Sequence, residues 1–276
     1  MKRADLDLIV ALARGRAGLK VDPEKIYLIE SRLAPLARRE DFGSIPDMLT
    51  ALRERKEDRL AWALVEAMTL NETSFFRDRE VFNYLASDAI PALARRRAAA
   101  GGGSLRIWSA GCATGQEPYS LAMALDGRRG DLGGVKVELY GSDLSERCME
   151  KAQSGMYTQF EVQRGLPIRA LVDHFEKQEE MWQLSPRIRQ MVRWRRINLL
   201  ADLTPLGQFD VILCRNVCVG LEDAARAKVL DSLSQRLAPD GVLVLGASET
   251  AGDGAFLPMA GLNGLYQPNP AARAAA

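Results

Sequence analysis

The residues of this 276-residue chain with the clearest chemical potential gather around one stretch, Leu105-Arg-Ile-Trp-Ser-Ala-Gly-Cys-Ala-Thr-Gly-Gln-Glu-Pro-Tyr-Ser120. Leu105 to Ser109 is a short apolar-rich run of the kind buried in a parallel sheet. Gly111 and Gly115 punctuate the turn after it, and Pro118, with φ already fixed, suits the first turn of a helix running through Ala122 and Leu125. Glycine lets the backbone approach a bound group closely, and the N–H groups of a helix start present themselves to an anion. Glycine turns between strand and helix also occur without any ligand, so the turn needs support from elsewhere. Asp143 offers it. The run Val135 to Ser142 reads as a second strand, and an acid at the tip of such a strand in a doubly wound sheet accepts hydrogen bonds from ribose hydroxyls. Its competing use is to cap the helix expected over Leu144 to Ser154. Arg215-Asn-Val217 stands at the tip of another, strongly apolar run, Phe209 to Cys214, where ligands of doubly wound sheets bind.

Other chemistries lack their residues. Cys112, Cys148, Cys214 and Cys218 show no C-x-x-C spacing and His174 is the only histidine. Neither a zinc site nor a Ser-His or Cys-His arrangement is supported, and buried free thiols with no metal are expected. Lys plus Arg at 37 against Asp plus Glu at 36 leaves a net charge of +1, so no global field recruits nucleic acid or a membrane surface. Arg193, Arg195 and Arg196 read as charge on an edge strand. The first residues are charged and no apolar run approaches spanning length, so a cytoplasmic, reduced protein without membrane insertion is expected.

The elements that must position these groups fall into two parts. Residues 4 to 68 carry apolar residues at helical spacing throughout. Asp22-Pro23 reads as the start of one helix, with Ile26, Ile29, Leu33 and Leu36 on one face and Lys25, Arg32 and Arg39 on another. Pro35 is expected to kink or end it, rotating Arg39 away. A charge stripe of this kind is ordinarily a solvated face. Thr69 to Asp78 breaks the helical run, which divides the chain into a helical domain, 1–70, and a larger domain, 71–276. Asn71 and Thr73 suit the cap of a helix beginning near Asp78. That helix is expected to reach Ala100, with solvated Arg95-Arg-Arg97 offsetting its dipole and Gly101-Gly-Gly103 stopping it. About residues 157–197 the strand and helix alternation lapses into an insert: a helix Arg169 to Phe175, then strand-like runs Met181 to Leu184 and Ile188 to Ile197 forming a hairpin around Ser185-Pro186. Asn198-Leu-Leu200 reads as a turn asparagine followed by core leucines. The chain closes with a helix Asp223 to Leu237, a Pro239-Asp-Gly241 turn, strands Val242 to Gly246 and Leu262 to Tyr266, and a disordered Gln267 to Ala276.

The central phrase resembles the cofactor loop of the chemotaxis receptor methyltransferases, enzymes that use S-adenosylmethionine to methylate glutamates on bacterial chemoreceptors. Asn71-Glu-Thr-Ser-Phe-Phe-Arg77 is similar to the family's N-x-T-x-F-F-R phrase, Cys214-Arg-Asn-Val217 to its C-R-N-V, and Asn198-Leu-Leu200 to its N-L-L. The resemblance covers about residues 20 to 266. It implies an α/β fold: a small all-helical amino-terminal domain, then a doubly wound methyltransferase domain with a small antiparallel β insert. It also implies a set of S-adenosylmethionine contacts: Asn71, Thr73, Arg77, Gly111, Glu117, Asp143, Asn198, Leu199, Asn216 and Val217. Glu117 would pair with the cofactor's amino group, Asn198 and Leu199 would hold the adenine, and Arg77 would steer the reacting carboxylate as the catalytic residue. Tyr27 to Arg39 is similar to the basic helix of the family's amino-terminal domain, which makes Lys25, Arg32 and Arg39 substrate-facing.

The implied activity is conversion of receptor glutamates to γ-methyl esters, releasing S-adenosylhomocysteine, with the cytoplasmic helices of chemoreceptors as partners. In some members the insert docks a tethering peptide from the receptor tail and carries a glycine-containing insertion. Glu176-Lys-Gln-Glu-Glu180 is short and has none, which argues against tethering. Beyond Val217 the sequence departs from the family: Cys218-Val-Gly-Leu-Glu222 puts Gly220 where a tyrosine lines the active site, and Ala247 replaces the histidine of an H-S-E phrase. The departure at Gly220 motivates an alternative, a weakened homologue that binds the cofactor and regulates through protein contacts.

Overall fold

From Ile9 to Met68 buried apolar residues recur every three or four positions, a period that only helices can bury on one side. The computed structural model describes residues 1–55, 57–252, 254–261 and 263–274. Helices α1 (Arg3–Ala17), α2 (Ile26–Arg39), α3 (Ile45–Arg55) and α4 (Asp58–Met68) enclose Ile9, Leu33, Leu36, Met48, Leu49 and Leu64. Asp22-Pro23 does not start α2, which begins at Ile26, nor does Pro35 end it. Pro35 lies on the exposed side and removes a single N–H from the helix, while buried Leu33, Leu36 and Ala37 hold the turns around it against the core. Residues Cys218–Val229 belong to this compact unit with Met1–Leu70. Lys20 N–H donates to Gly220 O at 2.9 Å, and Arg14 pairs with Glu222 at 2.9 Å.

The second unit comprises Asn71–Val217 and Leu230–Ala276. Its first helix runs as α5 (Arg79–Tyr84), a π turn over Leu85–Ala89, and α6 (Ile90–Ala99). The wide turn falls beside Pro91, which has no N–H to continue the i to i−4 ladder. Gly101, at φ 72, ends the helix. Arg97 is not a solvated dipole partner. Its guanidinium bridges Asp210 and Asp240, which raises its own pKa further and lowers that of Asp240.

Then follow β1 (Ser104–Ala110), α7 (Gln116–Asp126), β2 (Lys136–Asp143), α8 (Glu146–Ser154), β3 (Met156–Thr158), α9 (Gln159–Gln163), α10 (Ile168–His174), β4 (Phe175–Gln178), β5 (Met181–Leu184), α11 (Pro186–Arg189), β6 (Val192–Arg196), β7 (Phe209–Cys214), α12 (Asp223–Arg236), β8 (Leu237–Leu245), β9 (Phe256–Pro258), β10 (Leu265–Pro268) and α13 (Pro270–Ala274). The seven-stranded sheet has the order β6-β2-β1-β7-β8-β10-β9, and a three-stranded sheet the order β3-β5-β4. The pairs from β6 to β8 are parallel, while β10 and β9 are antiparallel. This is an α/β doubly wound arrangement with a small antiparallel sheet.

Three sequence expectations change. The hairpin is β4 with β5, closed by Glu179 at φ 53. Ser185-Pro186 instead opens α11, where proline suits the first helical position, and β6 joins the edge of the large sheet beside β2. Trp194 explains that choice. Its ring fills the space left by two glycines, since a Cβ on Gly141 would sit 2.4 Å from it and one on Gly115 2.8 Å. Second, Pro239-Asp-Gly241 lies inside β8, absorbed as a register shift opposite Phe209 and Val211. Third, Gln267 and Pro268 complete β10 and Pro270–Ala274 is helical. Asn269 anchors this end, its N–H donating to Ala255 O at 2.9 Å and its side-chain amide to Gly254 O at 2.7 Å. Leu262, Ala275 and Ala276 lie outside the described residues.

Candidate active site

The glycine turn between β1 and α7 is closed by its own hydrogen bonds. Gly111 and Cys112 N–H both donate to Ser142 O, at 2.8 and 2.9 Å, and Gly115 N–H donates to Cys112 O at 3.0 Å. Ala113, at φ 48, donates to Asp143 Oδ2 at 2.9 Å. The N–H groups of Gly111, Cys112, Ala113 and Gly115 are thus engaged within the protein, and the turn's shape is fixed by its own bonds. Tyr157 fixes it from the small sheet, its hydroxyl donating to Thr114 O at 2.8 Å.

Asp143 ends β2 beside this turn. Ser145, not Asp143, caps α8, accepting from Cys148 N–H. Asp143 Oδ1 takes the Ser145 N–H at 2.9 Å, and the carboxylate, with about four lone-pair sites, keeps capacity for another donor. Burial pushes this carboxyl above its usual 3.8, against the pull of the backbone N–H groups of Ser145, Ala113 and Leu144. One strand further out, Ile197 N–H donates to Asp143 O at 2.9 Å. Asn198 then turns the chain by accepting the Leu200 N–H at 3.0 Å, with Leu199 half-buried beside it.

The tip of β7 supplies the other wall. A Cβ on Gly111 would lie 2.5 Å from Val217 Cγ2, so the turn and Val217 touch as closely as glycine permits. Asn216 adopts φ 59, held by donation of its N–H to Glu249 Oε2 at 2.6 Å, and the same oxygen accepts Gly246 N–H at 2.9 Å. Glu117, in the first turn of α7, is buried. It accepts from Ser109 Oγ at 2.8 Å and from Arg215 Nη1 at 3.1 Å. Arg215 also donates to Arg77 O at 2.9 Å and to the Asp78 carboxylate.

The segment before α5 completes the arrangement. Phe75 is fully buried against Tyr157 and Phe175, and Phe76 N–H donates to Ser120 Oγ at 2.8 Å. Arg77 is exposed between them and the helix. α5 begins at Arg79 with Asp78 as its N-cap residue, so Asn71 and Thr73 do not cap it and lie on the lead into Arg77.

The structure therefore joins Gly111 to Val217, the glycine turn to Asp143, and Glu117 to the backbone of Arg77. Sequence reading passed over Arg215 and gave Glu249 no place in the site. The available signal was a charge directly after a strand of six buried residues, a place that demands a partner. The basic residues of the helical unit have unequal freedom. Lys25 and Arg39 are exposed, near Asp22 and Glu40 at 3.5 Å each, whereas Arg32 is half-buried and donates to Met68 O at 3.0 Å.

Known proteins match both parts of the chain. Residues 4–69 match the all-alpha domain of CheR methyltransferases, and residues 71–256 match their SAM binding domain. The chain is 36% identical over 250 residues to chemotaxis protein methyltransferase 1 of Pseudomonas aeruginosa, covering 89% of this chain and 90% of that one. It is 35% identical over 236 residues to chemotaxis protein methyltransferase Cher2 of Pseudomonas putida, covering 84% and 85%, and 33% identical over 240 residues to chemotaxis protein methyltransferase 1 of Vibrio cholerae, covering 85% of each. With a helical unit followed by an α/β unit, a shaped turn bounded by Glu117 and Asp143, and both domain matches in that order, the chain belongs to the CheR methyltransferase family and takes S-adenosylmethionine as its cofactor.

Proposed function

We propose that this protein methylates glutamate side chains on the cytoplasmic helices of chemotaxis receptors, giving γ-methyl esters. The observation that supports the reading is the join between the buried Glu117 and the backbone from which the exposed Arg77 side chain departs. The donor set suits the cofactor. A sulfonium with an ammonium group favours carboxylates beside it, and the site supplies the buried Glu117 and Asp143. When bound, S-adenosylmethionine supplies an electrophilic methyl group.

The residues then divide the work. Glu117 binds the ammonium, Asp143 the ribose hydroxyls, and Asn198 with Leu199 the adenine. Asn71, Thr73, Asn216 and Val217 complete the contacts. No residue needs to move a proton, because glutamate, with a reference pKa of about 4.3, is already a carboxylate at neutral pH. Arg77 orients that carboxylate, and exclusion of water and in-line placement provide the acceleration. Lys25, Arg32 and Arg39 face the acidic receptor, with Lys25 and Arg39 freest to do so. The short β4–β5 turn, without glycine, goes with a protein that does not dock a receptor tail. No helix among the described residues is long and apolar enough to cross a membrane.

The test uses S-adenosylmethionine with a radiolabelled methyl group and receptor cytoplasmic fragments. Label should enter the receptor as an ester that releases volatile methanol in mild alkali, whereas methylated lysine or arginine would keep it. A Cβ added at Gly220 would meet nothing within 4 Å, so Gly220→Tyr is expected to fold and to raise the rate or leave it unchanged. A wild-type chain giving no alkali-volatile label on a panel of receptors, with label appearing in Gly220→Tyr, would replace the enzyme reading with that of a regulator.

Asp143 adds a pH signature. Ionised, it accepts from ribose hydroxyls; protonated, it loses acceptor capacity. Affinity for S-adenosylhomocysteine should be flat near neutrality and fall on acidification, starting at a higher pH than an ordinary aspartate would give, because burial raises this carboxyl. Calorimetry across pH should show that limb in wild type and a weaker, flat profile in Asp143→Asn. Matching profiles would remove Asp143 from the ligand site.

A further inference from the structure

We infer that Arg215 is a positioning residue for methyl transfer, setting with one guanidinium both the carboxylate of Glu117 and the backbone from which Arg77 departs. The inference rests on the reading above and names the device that aligns its two ends. The Arg215 side chain is 2% exposed. Nη1 reaches Glu117 Oε2 at 3.1 Å, and Nη2 reaches Arg77 O at 2.9 Å and the Asp78 carboxylate. Its Cζ lies 5.5 Å from the Phe82 ring centroid.

The backbone it grips is a costly one. Phe76 at φ 47 and Asp78 at φ 60 place side-chain-bearing residues in the left-handed region on both sides of Arg77. Such conformations persist only where surrounding contacts over-determine them. Ser120 on α7 holds the Phe76 N–H at 2.8 Å, and Arg215 holds the other side. The same helix, α7, carries Glu117 in its first turn. Stability alone does not call for this residue, since an apolar side chain of similar volume often serves a buried ion-pair position as well or better, and Arg215 Nε is buried without a partner. What an apolar side chain cannot do is fix two acceptors at once. A lysine restores the charge beside Glu117 but lacks the planar fork.

The purified full-length chain is compared with Arg215→Met and Arg215→Lys by calorimetry with S-adenosylhomocysteine, by methyl transfer to a receptor fragment, and by thermal unfolding. Arg215→Met should weaken S-adenosylhomocysteine binding roughly 10- to 100-fold, the usual loss when a partner that orients a ligand-contacting group is removed. Arg215→Lys should recover most of that affinity yet keep kcat depressed roughly 10- to 100-fold with little change in receptor KM. Because the kcat loss passes through Arg77, Arg77→Ala/Arg215→Lys should be no slower than Arg77→Ala alone. A folded Arg215→Lys with wild-type kcat overturns the inference, as do losses that multiply in the double variant. If wild type methylates no receptor fragment, the proposed function fails separately; undiminished S-adenosylhomocysteine affinity in Arg215→Met then overturns the inference, and loss of affinity upholds its Glu117 arm. If Arg215→Met does not fold, Arg215→Lys still carries the decision.

Discussion

Arg77→Ala is expected to lower kcat/KM for receptor methylation by roughly 100- to 1,000-fold, the scale on which one preorganised contact to the reacting group acts. The side chain is exposed, so its removal empties no core. The carbonyl that Arg215 grips belongs to the backbone and survives the substitution. The loss should therefore appear in kcat, with thermal stability unchanged and S-adenosylhomocysteine affinity reduced far less than the rate. Arg77→Lys should recover only part of the rate, because a point charge cannot orient a planar carboxylate through paired hydrogen bonds. Initial rates at saturating cofactor, with calorimetry on the same preparations, separate the two effects. A rate loss matched by an equal loss of cofactor affinity would make Arg77 a cofactor ligand alone, and a wild-type rate would remove it from the site.

Gly111→Ala is expected to cost S-adenosylmethionine binding at least as heavily. Gly111 sits at φ 72, and a Cβ there would meet Val217 Cγ2 at 2.5 Å. The left-handed backbone costs an alanine about 1–2 kcal/mol, and relieving the overlap costs about 1–3 kcal/mol more through displacement of neighbouring groups. Both penalties fall on the turn and on Val217, which moves or turns away from the proposed cofactor site. Together they correspond to roughly a 30- to several-thousand-fold loss of affinity if the distortion falls on the site. Val217→Ala removes the methyl groups that block the new Cβ. Gly111→Ala/Val217→Ala should therefore bind S-adenosylhomocysteine more tightly than Gly111→Ala, leaving only the backbone penalty. Calorimetry on the two variants decides the point, and a double variant no better than Gly111→Ala would mean that the overlap is not the cause.

Much of this architecture is legible in residue order because it depends on local chemistry. The three- and four-residue spacing of apolar residues from Ile9 to Met68 marks helices by local periodicity alone. Gly111, Gly115 and Pro118 dictate a turn and a helix start, and Asp143 falls at the end of β2 because the apolar run before it stops there. The phrases around Asn71, Asn198 and Asn216 name a family because their order is distinctive.

What residue order alone left open depends on partners distant in sequence. β6 could have closed a hairpin on β5 by its own composition; it joined the large sheet because Gly141 and Gly115 leave a slot that fits Trp194. Pro35 stays inside α2 because the buried face of that helix outweighs one lost N–H. Gln267 and Pro268 look like the start of a tail, and become strand because β9 presents an edge to them. The N–H groups of Gly111, Cys112 and Ala113 go to Ser142 and Asp143, acceptors that residue order alone does not bring to the turn. Arg215 shows the division most plainly. Its sequence context says that a charge follows a buried strand, but Glu117, Arg77 and Asp78 reach it from two other elements. A buried cation takes its role from whichever acceptors the fold brings within reach, so only the tertiary structure could decide it.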